Sequence, residues 1–273
     1  MLPPGSIRTR IIDWLDWIFE NIQRGCDRKE LLDILVKEGF DHTQCRIALG
    51  YELKSTDLQE GQKDLNQKYN YSQNPSITAK KINDVNAEIY EVENFLNHKE
   101  CDAIVDKIKS KLRPSTIATS GVYDDSFRTS STCDLGNLND TFMKEIDVKI
   151  CNFVGIDLSF GEVLQGQHYK ESQEFKAHTD YFEGNQLLEH DGGRGQRTYT
   201  FMVYLNNVTD GGQTEFPRLN KSFNPNKGYA LIWNNLNDDG SLNSNTIHQA
   251  HPVLQGEKTV ITKWFRQASL NIK

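Results

Sequence analysis

The chain has 273 residues, a formal net charge of −7 at pH 7 and 37% hydrophobic residues. This length suits one large domain, or one domain with a small one beside it, and the acidic balance argues against a general nucleic-acid binder. No apolar run approaches a membrane span, and five scattered cysteines without a C-x-x-C pair favour reduced thiols and a cytoplasmic location.

Residues 1–53 are predicted to form a small module of three helices. Apolar positions at helical spacing mark the first helix over residues 6–24. Capping-box patterns at Asp27 and at Asp41 mark the starts of the second and third. The first helix has acidic residues within its apolar part, so it does not resemble a secretory signal. No residue of the module suggests catalysis, and we predict for it a packing role or a protein partner.

The rest of the chain is predicted to be a linker followed by an α+β domain. Residues 54–80 are polar and nearly free of aliphatic side chains, which is typical of a linker. Residues 81–273 begin with a strand and two helices, over 97–112 and 140–156. Short strands separated by Gly, Asn, Asp and Pro turns follow, and this spacing indicates a sandwich or barrel. With flanking helices in front, it predicts a double-sheet, cupin-like jelly roll.

The segment "FKAHTDYF" raises the possibility of a metal site. His178 and Asp180 are two residues apart, so on a strand they point to the same face. A facial iron(II) site needs one more imidazole. The segment "TIHQAHPV" offers His248 and His251, which would face opposite sides of a strand, and Pro252 disfavours a helix that would bring them together. Periodicity alone does not choose between them.

Four other histidines are less suitable as the third ligand. His42 lies in the helical module, His98 opens a surface helix and His190 lies in a polar loop. His168 precedes Tyr169, whose ring we expect to point into the barrel. Strand alternation then turns His168 away from the site.

Residues from about 82 to 267 resemble the prolyl 4-hydroxylase branch of the iron(II)- and 2-oxoglutarate-dependent dioxygenases. The matching blocks, in that family's order and spacing, are "RTSS", "EVLQGQHY" leading to "HTDYF", "RTYTFMVYLNNVTDGGQTEFP", "PNKGYALIWNN" and "HQAHPVLQGEKTVITKW". The chain departs from the family with "GGQT" in place of "GGET", with His251 at a position usually small or cysteine, and with Thr259 in place of tryptophan. These departures remove no expected ligand and bear on substrate identity.

The resemblance implies a double-stranded β-helix domain that binds Fe(II) and 2-oxoglutarate. In the family the histidine that opens H-x-x-x-P-V is the distal ligand, which implies His248 together with His178 and Asp180. Ten positions later, Lys258 is implied to bind the far carboxylate of 2-oxoglutarate. A carboxylate inside a narrow barrel needs such a partner to offset its desolvation.

The resemblance also implies secondary roles that the residues alone leave open. Tyr169 and Thr200 match family positions beside the cosubstrate, and Arg128 and Trp264 match positions at the substrate. Ordinary packing, or a surface position for Arg128, is the alternative reading for these residues. L-ascorbate joins the expected cofactors.

The activity implied is hydroxylation of an unactivated C–H bond, with 2-oxoglutarate and O2 converted to succinate and CO2. The expected substrate is C4 of a prolyl residue in a peptide or protein. A hydroxylase of a free amino acid or another side chain is the main alternative. A metal-binding jelly roll without catalysis is disfavoured by Lys258, and a zinc hydrolase lacks a positioned general base.

Overall fold

The computed structural model describes residues 18, 21, 26–38, 45, 46, 49, 75–82, 84–115, 127–136, 140–183, 185–190 and 193–269. The chain divides into two compact units, Met1–Lys68 and Tyr69–Lys273. Within the described ranges, every helix is too short or too polar to cross a lipid bilayer.

The first unit contains helix α1 (Arg28–Lys37). The Asp27 side chain accepts hydrogen bonds from the backbone N–H groups of Lys29 and Glu30, which confirms it as the predicted N-cap. A small apolar cluster in this unit comprises Ile18, Leu31, Leu35, Cys45 and Leu49. Most residues of the other two predicted helices and of the linker lie outside the described residues. The three-helix module therefore stays a prediction.

The second unit contains most of the secondary structure. Its described helices are α2 (His98–Lys109), α3 (Thr141–Val154) and the short α4 (Asn185–His190). Its described strands, β1 to β14 in chain order, are Lys80–Lys81, Ile89–Val92, Arg113–Pro114, Ser131–Asp134, Gln165–Tyr169, Phe175–His178, Arg197–Tyr204, Asp210–Gly211, Thr214–Phe216, Lys221–Phe223, Ala230–Asn234, His248–Ala250, Val253–Gln255 and Lys258–Arg266.

The two predicted helices of this unit, α2 and α3, begin directly after residues that cap them. Asn97 and Glu100 make a complete capping box at the start of α2. Asp140 caps the start of α3, and Gly155 ends that helix with a φ of 73°. A left-handed residue at this position suits glycine, because glycine has no Cβ to clash.

The strands pair into two main antiparallel sheets. The larger sheet has the order β1-β2-β11-β7-β14-β5-β4-β3, and the smaller has the order β10-β9-β12-β6. Strands β8 and β13 form a separate pair. Two antiparallel sheets with helices beside them agree with the predicted α+β jelly roll.

Alternating side chains give the larger sheet two apolar faces. On β7, Phe201 and Val203 belong to one buried cluster, which also contains residues of α2 and α3. Met202 and Tyr204 belong to a second cluster, which also contains Phe216 of the smaller sheet. The period of two on a strand explains this division. One face of the larger sheet therefore packs against helices and the other packs against the smaller sheet.

Candidate metal centre

Two imidazoles and one carboxylate meet in a pocket lined by both sheets. His178 is the last residue of β6 and lies opposite His248, the first residue of β12, in an antiparallel pair. With Asp180, their candidate ligand atoms all lie within 4.8 Å of one another. Asp180 lies in the bend after β6, so the prediction that one strand carries both His178 and Asp180 is wrong in that detail. The bend still turns the carboxylate toward the imidazoles.

Backbone carbonyl groups fix the orientation of both imidazoles. His178 Nδ1 donates to the Lys176 carbonyl oxygen at 2.7 Å, and His248 Nδ1 donates to the Thr246 carbonyl oxygen at 3.0 Å. A carbonyl oxygen can only accept, so each Nδ1 carries the proton and each Nε2 keeps its lone pair. This is the arrangement that metal-binding histidines use.

The pKa values of His178 and Asp180 are both shifted toward the protonation state that a metal requires. Desolvation, followed by the neighbouring His248, lowers the pKa of His178 to about 3, so this imidazole is neutral at pH 7. Burial acts to raise the pKa of Asp180, but the two imidazoles and Arg197 outweigh it and the pKa is lowered. Two imidazoles and one carboxylate are a donor set that suits ferrous iron.

Thr200 contacts the carboxylate of this cluster. Its hydroxyl group donates to Asp180 Oδ2 at 2.7 Å. The hydroxyl has one proton, which it donates to Asp180. The predicted contact between Thr200 and the cosubstrate stays a prediction.

Lys258 is a buried cation in the same pocket. Only 1% of its surface is exposed, and its Nζ donates to Thr214 Oγ1 at 3.4 Å. The Nζ atom also lies 5.3 Å and 5.5 Å from the ring centres of Tyr169 and Tyr204. Desolvation lowers the pKa of Lys258 to about 7. Among the residues that the structure describes, no carboxylate lies within ion-pair distance of it, so the site provides a cation for an incoming anion.

The pocket gathers nearly all of the side chains that the sequence singled out. Its lining comprises Arg128, Gln167, Tyr169, Phe175, His178, Asp180, Met202, Thr214, Trp233, His248, Ala250, Lys258, Val260, Thr262 and Trp264. Thr200 lies behind Asp180. The hydroxyl of Tyr169 donates to Gln167 Oε1 at 2.9 Å.

Arg128 contacts the ring of Phe175, which in turn stacks on the imidazole of His178. Its guanidinium carbon is 4.7 Å from the centre of the Phe175 ring, and that ring stacks on His178 with centres 3.5 Å apart. Arg128 also donates to Gln165 Oε1 at 3.2 Å. A role for Arg128 in substrate contact stays a prediction.

The other two histidines near the site face elsewhere. His251 Nε2 lies 2.6 Å from Glu215 Oε2, and 39% of the His251 side chain is exposed. His168 lies on the face of β5 opposite to Tyr169, as alternation predicts, but it is buried and its Nδ1 is 3.0 Å from Thr259 Oγ1. Both histidines lie outside the cluster of candidate ligands, which contains His248.

Sequence reasoning missed Thr214 and Phe175, which line the pocket, and Tyr204, which lies beside Lys258. Tyr204 lies four residues after Thr200 on β7, so the period of two could have placed it on the pocket face. Thr214 lies in the block "GGQT", of which the sequence analysis considered only the glutamine that departs from the family pattern. Periodicity does not predict the stacking of Phe175 on His178, because residues three apart face opposite sides of a regular strand, and the pairing of β6 with β12 is irregular here.

Trp264 borders a cluster of buried charges. The guanidinium carbon of Arg197 lies 4.0 Å from the centre of the Trp264 ring. Arg197 makes two hydrogen bonds to the Glu162 carboxylate, at 2.8 Å and 2.7 Å, and Arg266 makes a third at 3.1 Å. Burial acts to raise the pKa of Glu162, but the two guanidinium groups outweigh it and lower the pKa to about 2.

Comparisons with known proteins were consistent with this geometry. The 2OG-Fe(II) oxygenase superfamily matches residues 164–266. Probable prolyl 4-hydroxylase 6 of Arabidopsis thaliana is 32% identical over 201 residues, which are 66% of this chain and 69% of that protein. Prolyl 4-hydroxylase 5 of the same plant is 34% identical over 194 residues, 63% of this chain and 66% of that protein.

A solved structure shares the fold of the second unit. It is the viral collagen prolyl hydroxylase of Paramecium Bursaria Chlorella virus-1 in its 2OG complex, with a TM-score of 0.53 and 26% identity. The match covers 65% of this chain and 95% of that one.

The fold and the site define an iron(II)- and 2-oxoglutarate-dependent oxygenase. Two antiparallel sheets enclose a His-Asp-His cluster, and a buried lysine lies in the same pocket. The chain belongs to the prolyl 4-hydroxylase branch of the 2OG-Fe(II) oxygenase superfamily. The predictions of the family, of the jelly-roll fold of the second unit, and of Fe(II) and 2-oxoglutarate are confirmed.

The Glu162 cluster gives a prediction for stability against pH. The folded-state pKa is about 2, against an ordinary value of 4.5. The stabilisation, about 3 kcal/mol, is therefore fully present above pH 4.5 and is lost as pH falls toward 2. We expect Glu162→Gln to be less stable than the parent at pH 7, with the difference shrinking across this window. Urea unfolding of both chains from pH 2 to pH 7 measures it.

The matched control for this prediction is Glu257→Gln. Glu257 forms an ion pair with Lys109, and both side chains are about half exposed, with 45% and 46% of their surface accessible. An exposed pair of this kind contributes little, so this variant should follow the parent. A constant difference between Glu162→Gln and the parent from pH 7 to pH 2 would contradict the assignment.

Proposed function

We propose that this chain is a prolyl 4-hydroxylase acting on a peptide or protein. The observation that carries the proposal is the buried ammonium group of Lys258 in the same pocket as His178, Asp180 and His248. Relatives named as prolyl 4-hydroxylases support the prolyl substrate. The reaction is hydroxylation at C4 of a prolyl residue, as the sequence predicts.

His178, Asp180 and His248 are assigned as the ligands of Fe(II). The free Nε2 atoms of the two imidazoles supply two neutral donors, and Asp180 supplies one negative charge. Three protein ligands leave positions on the ion for other molecules. When bound, iron and 2-oxoglutarate supply the oxidising chemistry, with 2-oxoglutarate and O2 ending as succinate and CO2.

Lys258 is assigned to the far carboxylate of 2-oxoglutarate. A buried ammonium group without an anionic partner is costly, and pairing with a carboxylate offsets that cost. The hydroxyl oxygen of Thr214 accepts a hydrogen bond from the same nitrogen, and its own proton is available to the bound anion. Tyr169 lies next to Lys258 across the β14–β5 pair, which supports its predicted place beside the cosubstrate.

Arg128 and Trp264 are assigned to the substrate. Both line the pocket, and Trp264 presents an aromatic surface whose indole Nε1 has no hydrogen-bond partner among the described residues. An aromatic face suits the apolar ring of a prolyl residue, and a free N–H suits a peptide carbonyl group.

Three further predictions accompany this proposal. L-ascorbate is the expected auxiliary reductant. The cytoplasm is the expected location, which the free thiol groups of all five cysteines support. A protein partner is the expected ligand of residues 1–53.

The substrate assignment is tested with defined substrates. The purified chain is incubated with Fe(II), 2-oxoglutarate and air, together with a proline-rich peptide, the same peptide with alanine at each proline, or free proline. We expect a mass gain of one oxygen and matching succinate release with the proline-rich peptide alone. Oxidation of free proline without oxidation of the peptide would instead support the alternative, a hydroxylase of free amino acids.

The metal ligands are tested with a pair of histidine variants. We expect His248→Ala to lose Mn(II) binding in calorimetry, because the cluster then has two ligands. The matched control is His251→Ala, whose imidazole contacts Glu215 outside the cluster and should leave metal binding unchanged. Thermal midpoints without metal verify that both variants fold. Loss of binding in the His251 variant alone would reverse the assignment.

The role of Lys258 is tested through the cosubstrate. We expect Lys258→Gln to raise the KM for 2-oxoglutarate about a hundredfold, roughly 3 kcal/mol, because the far carboxylate loses its buried ion pair. Binding of Mn(II) should not change. Exposed Lys170 provides the control, since Lys170→Gln removes the same charge outside the pocket. Equal KM values for Lys258→Gln and the parent would show that another residue binds this carboxylate.

A further inference from the structure

A chain of buried hydrogen bonds reaches the metal cluster from outside the pocket. The Asn235 amide nitrogen donates to Thr200 Oγ1 at 2.9 Å, and Thr200 Oγ1 donates to Asp180 Oδ2 at 2.7 Å. Asn235 and Thr200 are completely buried, and Asp180 is 7% exposed. Asn235 does not line the pocket, so any effect of it on the site passes through Thr200.

The donors and acceptors of this chain can be arranged in only one direction. An ionised Asp180 can only accept, so the hydroxyl proton of Thr200 must point to it. The oxygen of Thr200 then accepts, and the group that donates to it must be the NH2 of Asn235. The amide of Asn235 therefore determines which way the hydroxyl of Thr200 points.

The orientation of Asn235 leaves one of its own atoms without a partner. Its Oδ1 atom is buried and has no hydrogen bond among the described residues. A buried polar atom without a partner destabilises a protein, and an apolar side chain would avoid that cost. Stability alone does not explain an asparagine at this position, whereas a requirement for an amide donor does.

The outer members of the chain are held on the larger sheet. The backbone N–H of Asn235 donates to the Thr198 carbonyl oxygen at 2.6 Å, and its carbonyl oxygen accepts from Asn243 at 3.0 Å. Thr200 lies on β7 between β11 and β14. Asp180, by contrast, follows the last residue of β6 in the smaller sheet. These hydrogen bonds therefore connect Asp180, which follows a strand of the smaller sheet, to groups fixed by the larger sheet.

We propose that Asn235 is a positioning residue for the metal centre. It orients the hydroxyl of Thr200, which in turn holds the Asp180 carboxylate in place for the ion. This inference rests on the proposed function, since it assumes that Asp180 is a metal ligand. Removal of such outer hydrogen-bond partners typically weakens metal binding by about 10- to 100-fold.

The experiment measures the Kd for Mn(II) by calorimetry, without 2-oxoglutarate, for a set of variants. We expect Asn235→Ala and Thr200→Val each to weaken binding by about 10- to 100-fold. Thr200→Ser keeps the hydroxyl and should stay within about threefold of the parent. The double variant Thr200→Val with Asn235→Ala should bind no more weakly than Thr200→Val alone, because Asn235 then has no hydroxyl to orient.

The matched control is Asn234→Ala. Asn234 is the neighbouring residue, is also buried, and donates to Glu88 and Tyr199 instead. We expect it to lower the thermal midpoint without changing the Kd for Mn(II), which separates a loss of stability from a loss of positioning. Thermal midpoints without metal are measured for every variant.

Three results would overturn the inference while leaving the proposed function intact. The first is a Kd for Asn235→Ala within about threefold of the parent, and the second is a further loss of binding when Asn235→Ala is added to Thr200→Val. The third is equal Mn(II) binding by Thr200→Val and Thr200→Ser, a comparison that tests the inference even if Asn235→Ala does not fold. A parent chain that bound no Mn(II) would overturn the proposed function, and the inference with it.

Discussion

The constraint on which this site depends is a positive charge that is buried with no carboxylate partner in the described part of the chain. Lys258 begins β14, whose residues pair with β5 on one side and β7 on the other. That double pairing holds the ammonium group among tyrosine rings, where desolvation lowers its pKa to about 7. A fold tolerates this cost where a ligand relieves it. The charge therefore selects an anionic ligand and fixes where the anionic end of that ligand lies.

The two sheets contribute different residues to the site, and aromatic side chains from both sheets pack against one of these residues. The imidazoles belong to β6 and β12 of the smaller sheet, while Lys258 belongs to the larger sheet. The rings of Trp233 and Phe216 lie 4.9 Å and 5.5 Å from the His248 ring. Trp233 comes from the larger sheet and Phe216 from the smaller one. The same core that joins the sheets therefore also orients a candidate ligand.

Local features of this chain were predictable from sequence, and features that depend on strand pairing were not. The caps at Asp27 and Asn97 follow from short-range hydrogen bonding, so a few residues suffice to predict them. The choice between His248 and His251 needed either the family resemblance or the pairing of His248 with His178. The hydrogen bond between Thr200 and Asp180 joins a strand of the larger sheet to the bend after β6, and no periodicity encodes such a contact.

The direction of β14 separates the buried lysine from the carboxylate of the metal cluster. Lys258, Val260, Thr262 and Trp264 all line the pocket, as alternate residues on one face of a strand do. Six residues separate Lys258 from Trp264, which is about 20 Å along an extended strand. Thr200, which contacts Asp180, pairs with Trp264, so the carboxylate of the cluster is held near the far end from the lysine. Lys258 and the carboxylate of the metal cluster therefore lie toward opposite ends of this face of β14, and the pocket residues Val260 and Thr262 lie between them.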